Sequence, residues 1–261
     1  MLNYIKSEFY RIRNSTFFKV LFLIYFVFSI LACLFLKFAS ASSASSDALG
    51  KLISYSLLIG NLSYYYSSSL FVVYGVSDDN NKNNNLKNTI ALGIPREKIL
   101  FGKFIVNTII TILMMFFVVI VILITSNILF GFDIKLNITL NDIIYGVFAI
   151  IPIVILCVIM ITSFLEIFRK EMISLLVFLI IFFFLPVILN IIYNISGKEI
   201  FYKISQIFPS QFLVNKLDVE NLSIHTVWSE FFVFVKCYLV GIIGSIIFGL
   251  LGISIFRKRE F

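Results

Sequence analysis

The main hydrophilic interruption of this chain is residues 77–103, SDDNNKNNNLKNTIALGIPREKILFGK. Its first part is rich in aspartate and asparagine, which are costly to bury in lipid without partners. Residues 86–103 return to a helical pattern in which isoleucine and leucine are separated by charged residues. Gly93 and Pro95 interrupt this pattern, and a residue that precedes proline avoids the helical region. We therefore expect a solvated turn and two short helical pieces that meet at Ile94.

The rest of the chain has the composition of a membrane protein. Hydrophobic residues make up 60% of its 261 residues, charged residues make up 13%, and the mean hydropathy is +1.04. Soluble domains are typically about 45–50% apolar and about 25% charged. The sequence therefore predicts an integral membrane protein with almost no room for a separate soluble domain.

Six uncharged intervals are each close to the ~17–25 residues that a helix needs to cross a bilayer. The expected spans are about 18–36, 52–76, 104–130, 143–165, 172–194 and 232–256. These intervals are continuously apolar, whereas the strands of a membrane barrel alternate over ~10 residues. We expect an all-α membrane protein with six transmembrane helices in one domain, 1–261.

The distribution of lysine and arginine predicts the orientation. With the N-terminus inside, fourteen of these residues fall in the cytoplasmic pieces and six in the external pieces. The positive-inside rule then places both termini in the cytoplasm of a multi-pass plasma-membrane protein. Membrane topology accounts for the net charge of +7, so nucleic acid is not an expected partner.

Three further segments carry expectations. Residues 2–18 place apolar side chains at helical spacing against basic ones, which predicts a helix in the inner headgroup layer. We expect this segment to be retained and not cleaved as part of a signal peptide, because the apolar run that follows exceeds the ~7–15 residues of a signal-peptide core. The second span is rich in serine and tyrosine, so its polar face should line either a helix interface or a substrate path. Within this second span, the residues proposed for a substrate path are Asn61, Tyr64, Tyr65 and Ser68.

Residues 198–230 should form the largest external segment, with an apolar helical face.

Several kinds of chemistry have no motif in this sequence. There is no G-x-x-x-x-G-K-[ST] phosphate loop and no H-E-x-x-H, and the expected spans contain no paired carboxylates. Cys33, Cys157 and Cys237 fall within spans and are expected to pack as small apolar residues. His225 has no second ligand nearby in the sequence. We expect no enzyme activity, no metal site and no cofactor in this chain.

The run LKNTIALGIPREKILFGKF (residues 86–104) resembles the segment between the second and third helices of ABC-2-type permeases. The expected interfacial helix, six spans, short external helices before the last span and basic C-terminus also resemble this family, in a half-transporter architecture like that of type V exporters. The resemblance implies that 77–103 is a cytoplasmic coupling loop and 198–230 a partly re-entrant external segment. It also implies an ABC ATPase partner, which would bind ATP and Mg, and a second permease copy or a paralogous permease. The residues that it assigns to coupling are Gly93, Ile94, Pro95, Arg96, Lys98 and Ile99, followed by Lys103.

The function that this resemblance implies is a permease subunit of an ATP-driven exporter. The short chain is most similar to members associated with bacteriocin immunity and antimicrobial-peptide export, so an amphipathic peptide is the expected cargo. Two alternatives remain at this point: an ion-coupled secondary transporter, and a non-transporting scaffold that recruits a cytoplasmic partner. On the first hypothesis we expect Ile94 and Ile99 to anchor the ATPase, with Arg96 and Lys98 setting its orientation.

Overall fold

Helices dominate the computed structural model of the protein. It describes residues 2–40, 46–60, 69, 73, 93–131, 140–168, 170–213, 216–218, 223–225 and 230–258. The helices are α1 (Leu2–Asn14), α2 (Thr16–Ser40), α3 (Ser46–Gly60), α4 (Arg96–Phe130), α5 (Leu140–Phe168), α6 (Glu171–Leu179), α7 (Leu185–Ser196), α8 (Glu199–Ser205), α9 (Pro209–Phe212) and α10 (Phe231–Arg257). A π-helical segment, Ile180–Phe184, joins α6 to α7, and a short hairpin consists of β1 (Lys216–Asp218) and β2 (Ser223–His225).

Five helices among the described residues are long and apolar enough to cross a membrane. They are Thr16–Ala39, Arg96–Phe130, Ile144–Phe168, Glu171–Ser196 and Phe231–Arg257. Each contains one of the expected spans or most of it. The remaining expected span, 52–76, lies largely outside the described residues, which include only its first part, Ser69 and Val73.

The centre of the bundle is made by α4, α5 and α10. Glycines of α10 allow it to lie directly against α5: an added Cβ on Gly241 would meet Pro152, one on Gly244 would meet Leu156, and one on Gly252 would meet Ser163. Because both residue numbers rise together, the two helices run parallel. Small residues promote such close helix packing in membranes, where the lipid provides no hydrophobic driving force between helices. Pro152 therefore packs directly against the backbone of α10 at Gly241, which has no side chain.

The helix that contains the expected third span is longer than that span. We expected the span to begin at 104, but α4 begins at Arg96 and continues for 35 residues to Phe130. At a rise of 1.5 Å per residue this helix is about 52 Å long, whereas the hydrocarbon core of a bilayer is about 30 Å thick. Residues 96–103 thus belong to the same rod as the span, and no break separates them.

At the far end of α4, polar contacts attach α3 to it. The Oγ atoms of Ser54 and Ser126 are 2.6 Å apart, and the hydroxyl of Tyr55 donates to Asn127 Oδ1 at 3.3 Å. Lys51 Nζ donates to the carbonyl of Gly131 at 2.9 Å, where a cation is favoured by the carbonyl end of a helix. The polar residues that begin the second expected span therefore make interhelical contacts.

The long helix Glu171–Ser196 changes from α-helical to π-helical geometry before Pro186. In a regular α-helix the N–H of residue 186 would donate to the carbonyl of Phe182, but proline has no N–H. The π-helical segment ends two residues before this proline, and Ser210 Oγ, on α9, donates to the Phe182 carbonyl at 3.3 Å. A hydroxyl from a neighbouring helix thus donates to the carbonyl that a regular α-helix would pair with residue 186.

The segment that follows α7 folds back along it. Asn190 is the hub: its Nδ2 donates to Gln211 Oε1 at 2.8 Å, and its Oδ1 accepts from Ser205 Oγ at 2.6 Å. Since Ser210 reaches Phe182, α9 lies near the middle of the preceding long helix, roughly 20 Å from its end.

The strand hairpin differs from the all-α expectation. Residues 216–218 and 223–225 pair antiparallel, with Lys216 opposite His225 and Asp218 opposite Ser223. The segment 198–230 is therefore not helical throughout: two short helices are followed by a hairpin. The rest of the described fold is helical as predicted, and its three cysteines are buried and free.

Replacing Ser210 with alanine is expected to cost about 0.5–1.5 kcal/mol of stability, the usual net value of one hydrogen bond. In a Pro186→Ala background this turn can return to regular α-helical bonding, in which the new N–H takes the Phe182 carbonyl, so the same change at Ser210 should have a smaller effect. Heating the detergent-solubilised variants and measuring the monodisperse fraction tests this. Equal losses in both backgrounds would show that the two groups do not share this acceptor.

Candidate functional site at the charged end of the bundle

The residues assigned to coupling form a sharp turn at the start of α4. Gly93 has φ +81°, a left-handed conformation that favours glycine. Pro95 is extended, with φ −60° and ψ 138°, and its carbonyl accepts from the N–H groups of Lys98 at 3.0 Å and Ile99 at 3.2 Å. The proline is thus suited to the position just before the helix, where its missing N–H costs no intrahelical bond.

These residues differ in how accessible they are. Gly93, Pro95 and Lys98 are exposed, and Ile94 is half-buried. Ile99 is completely buried within the chain, at 0% exposure. The expectation that Ile99 anchors the ATPase is therefore revised, because its side chain already packs inside this protein. Ile94 remains the apolar side chain that this turn offers.

The beginning of α4 is attached to the end of α10. Arg96 Nη1 donates to the carbonyl of Arg257 at 3.3 Å, and Arg257 Nε lies 3.4 Å from Glu97 Oε1. The helix dipoles favour these positions of charge, since the acidic Glu97 lies in the first turn of α4 and the basic Arg257 in the last turn of α10. Arg96 thus has an intramolecular role that its assignment as a docking residue did not include.

About two turns farther along α4, a buried ion pair joins α4 to α5. Lys103 Nζ contacts Glu166 Oε1, and the two side chains are only 8% and 12% exposed. Removing two charges from water carries a large desolvation penalty, which their mutual attraction offsets only while both are present. We call the set Arg96, Glu97, Lys103, Glu166 and Arg257 the charged end; it joins three helices at one end of the bundle.

The N-terminal helix packs on this end through a glycine. An added Cβ at Gly102 would lie 2.7 Å from the Tyr4 ring, so the absence of a side chain there allows α1 to approach α4. Burial raises the pKa of the Tyr4 hydroxyl, and the carboxylate of Glu8 raises it further. Tyr4 is therefore neutral at physiological pH. Glu8 in turn accepts from Arg11 Nη2 at 2.7 Å, which completes a polar contact beside the charged end.

Polar side chains continue from the charged end into the bundle. Asn107 Nδ2 donates to Thr162 Oγ1 at 3.2 Å, so a second contact between α4 and α5 lies one turn beyond Lys103. Within the described part of the chain, the buried Asn107 Oδ1 has no hydrogen-bond partner. A buried acceptor without a donor destabilises this arrangement relative to one in which it is paired.

Comparison with known families identifies the class of protein. A family profile described as ABC-2 family transporter protein matches residues 4–197. This chain belongs to the ABC-2 family. The match extends from α1 to the end of α7 and includes the turn at Gly93 and the Lys103–Glu166 pair. Searches against curated proteins and against solved structures gave no match.

Membership of the ABC-2 family indicates the class of protein and its usual partner. ABC-2 proteins are multi-pass membrane components of transporters, are not themselves catalytic, and normally work with an ABC ATPase. The five apolar helices described above agree with that class. The resemblance noted from residues 86–104 is therefore confirmed at the level of the family.

The residues of this ABC-2 chain that are proposed from the sequence for a substrate path lie outside the described residues. These are Asn61, Tyr64, Tyr65 and Ser68. Their described neighbours in the same expected span, Ser54, Tyr55 and Ser69, are all buried. Ser54 and Tyr55 contact α4, so for this part of the ABC-2 chain the polar face serves helix packing.

Two features of the ABC-2 chain were missed in the sequence. The sequence gives no signal that Glu166 is the partner of Lys103. The glycines of α10 were not singled out, although Gly241, Gly244, Gly249 and Gly252 recur at spacings that keep them near one helix face. That spacing was the available signal for the contact with α5.

Proposed function

We propose that this chain is the membrane-spanning permease subunit of an ATP-driven ABC-2 exporter, and that the turn Gly93–Lys98 is where a separate ATPase docks. The observation that carries this proposal is the position of the turn. It presents exposed residues directly at the start of a 35-residue helix, and that helix is joined to α5 and α10 at the charged end. A partner that moves the turn would therefore move the centre of the bundle.

The membrane placement is part of the same proposal. The charged end is assigned to the cytoplasm, which agrees with the excess of lysine and arginine in the loops expected there. Both termini are then cytoplasmic, α1 lies in the inner headgroup layer, and 198–230 is an external segment that re-enters between helices. The fold-back of α8 and α9 along α7 supports this path.

The cargo that we propose is an amphipathic peptide. The support is the family and the serine- and tyrosine-rich second span, whose hydroxyls offer hydrogen bonds without fixed charge. ATP and Mg would be held by the partner ATPase, and the permease would assemble with a second copy or a paralogue. Export of the peptide and protection against it would use the same machinery.

Changing the half-buried isoleucine of the turn should release the ATPase. Ile94→Asp places a charge where an apolar contact is proposed, and Lys98→Glu reverses an exposed charge at the same surface. The tagged permease, purified from its native cells, should retain an ABC ATPase detectable by mass spectrometry. Loss of a central apolar contact typically costs about 2 kcal/mol or more, so we expect at least a tenfold loss of ATPase from Ile94→Asp. Lys98→Glu should weaken retention mainly at low salt.

The matched control is Lys258→Glu, which reverses an exposed charge beyond α10 at the same end of the bundle. It should leave ATPase retention unchanged. The complex of permease and ATPase, reconstituted in vesicles, should transport the proposed peptide cargo only when ATP is present. Normal retention and transport by Ile94→Asp would refute docking at this turn, and transport by the permease alone would favour an ion-coupled carrier instead.

A further inference from the structure

A groove of about 460 Å³ opens between α1, α2 and α4. This volume is in the range of small-molecule sites in proteins. Seven of the nine described residues that line it are apolar, and the other two are Arg13 and Lys19. Such a lining suits a ligand that is mostly hydrocarbon with a small charged part.

One apolar wall of the groove lies on α4, farther along this helix than the charged end. Ile110, Leu113 and Met114 on α4 form one side of the groove, and Leu113 lies roughly 15 Å along the helix from Lys103 of the charged end. Met114 is buried, whereas Leu113 is 62% exposed. The groove therefore has a closed floor and an open side at a depth where lipid chains lie.

The cations lie at the junction of α1 and α2. Arg13 is in the last turn of α1 and Lys19 in the first turn of α2, and both side chains are exposed. This junction lies beside the apolar wall, because Phe22, one turn after Lys19 on α2, contacts Phe117 of α4 with ring centroids 4.1 Å apart. No carboxylate is among the described residues that line the groove. An anion at this position thus meets two positive charges and no negative one within the lining.

We propose that this groove binds an anionic phospholipid of the leaflet at the charged end. Its phosphate is held by Arg13 and Lys19, and one acyl chain lies against Leu113, Phe22 and the buried Met114. A phosphate contributes the anion, a chain of methylene groups fills the apolar groove, and a phospholipid carries both in one molecule. The bound lipid fixes α1 against α4. The proposal is independent of whether an ATPase docks on this chain.

The test compares two lipids with identical chains. The purified protein in a neutral detergent is titrated with dioleoyl phosphatidylglycerol or dioleoyl phosphatidylcholine, and bound lipid is counted by native mass spectrometry. Each basic residue near an anionic lipid contributes about fivefold in affinity. The tightest site should therefore prefer the anionic lipid by roughly 10- to 30-fold. Arg13→Gln/Lys19→Gln should abolish this preference and leave weak binding of both lipids.

Two controls are matched to the two parts of the site. Lys6→Gln/Lys258→Gln removes the same net charge from exposed positions outside the groove and should retain the preference. Leu113→Trp should lower binding of both lipids, whereas Leu250→Trp should not, although both leucines are 62% exposed. Equal loss in the two charge variants, or no loss in either, would overturn the proposal. Displacement of the lipid by an equal concentration of glycerol phosphate would also overturn it, because the chain would then contribute nothing.

Discussion

Replacing Lys103 with methionine should destabilise the protein by about 3–5 kcal/mol, because it leaves the buried Glu166 carboxylate without its cation. The reverse change, Glu166→Leu, should have a similar effect. The double variant Lys103→Met/Glu166→Leu should recover most of the loss, since a buried ion pair can often be replaced by apolar residues at little cost. For a domain of this size, 1 kcal/mol shifts the unfolding temperature by about 2–4 °C. Thermal unfolding in detergent can therefore resolve all three variants.

The chain contains a matched control for this experiment. Lys203 and Glu199 form an exposed pair on α8, with side chains 74% and 76% exposed. Lys203→Met should change stability by less than about 0.5 kcal/mol, as is typical of exposed pairs. If Lys103→Met were no more harmful than Lys203→Met, or if the double variant were as unstable as the single ones, the pair would not be the contact described here. A stable double variant that fails to transport would assign the pair a role in coupling.

Adding one methyl group at Gly241 should disrupt the contact between α5 and α10. The new Cβ would lie 2.6 Å from the carbonyl carbon of Pro152 and 2.7 Å from its oxygen. These are backbone atoms, so a whole helix must shift, and overpacking of this kind typically costs about 1–3 kcal/mol. Gly241→Ala should therefore lower the unfolding temperature, even though alanine favours a helix over glycine by about 1 kcal/mol.

Gly249→Ala provides the comparison on the same helix. Its Cβ would be 3.6 Å from Ile159 Cγ2, an ordinary contact distance. This variant should be neutral or up to about 1 kcal/mol more stable. Opposite signs for the two substitutions would establish that close packing at Pro152, and not glycine content in general, sets the requirement. Equal effects at both positions would contradict that conclusion.

The sequence was most informative about the spans, for a physical reason. A helix that crosses lipid must be long, continuous and apolar, and five described helices with these properties lie at nearly the positions of expected spans. The sequence placed a short helical piece after Ile94 and a separate span from 104, because charged residues such as Arg96 and Lys103 precede the uncharged interval; the structure joins the two in α4. A helix does not end where the lipid ends; it ends where its hydrogen bonding is interrupted, and here Pro95 sets that point.

The candidate site was only partly predictable. The spacing of apolar residues correctly placed Ile99 on the apolar face of its helix. Spacing alone does not show whether such a face packs inside the same chain or against a partner protein. Ile99 packs inside its own chain. Lys103 and Glu166 are 63 residues apart, and a single sequence does not show which charges meet across helices. The hairpin at 216–225 has strands of three residues, too short to show a period.

The unbroken length of α4 has a mechanical consequence. A stiff rod that is moved at one tip also moves at the other, and the two tips of α4 carry different attachments. At one tip is the turn that begins with Gly93; at the other, about 50 Å away, Ser126 and Asn127 contact Ser54 and Tyr55. If α4 pivots on the Lys103–Glu166 pair, the short arm is on the side of the turn and the long arm crosses the membrane. A small displacement at the turn would then become a larger one at the opposite face, as at the two arms of a lever.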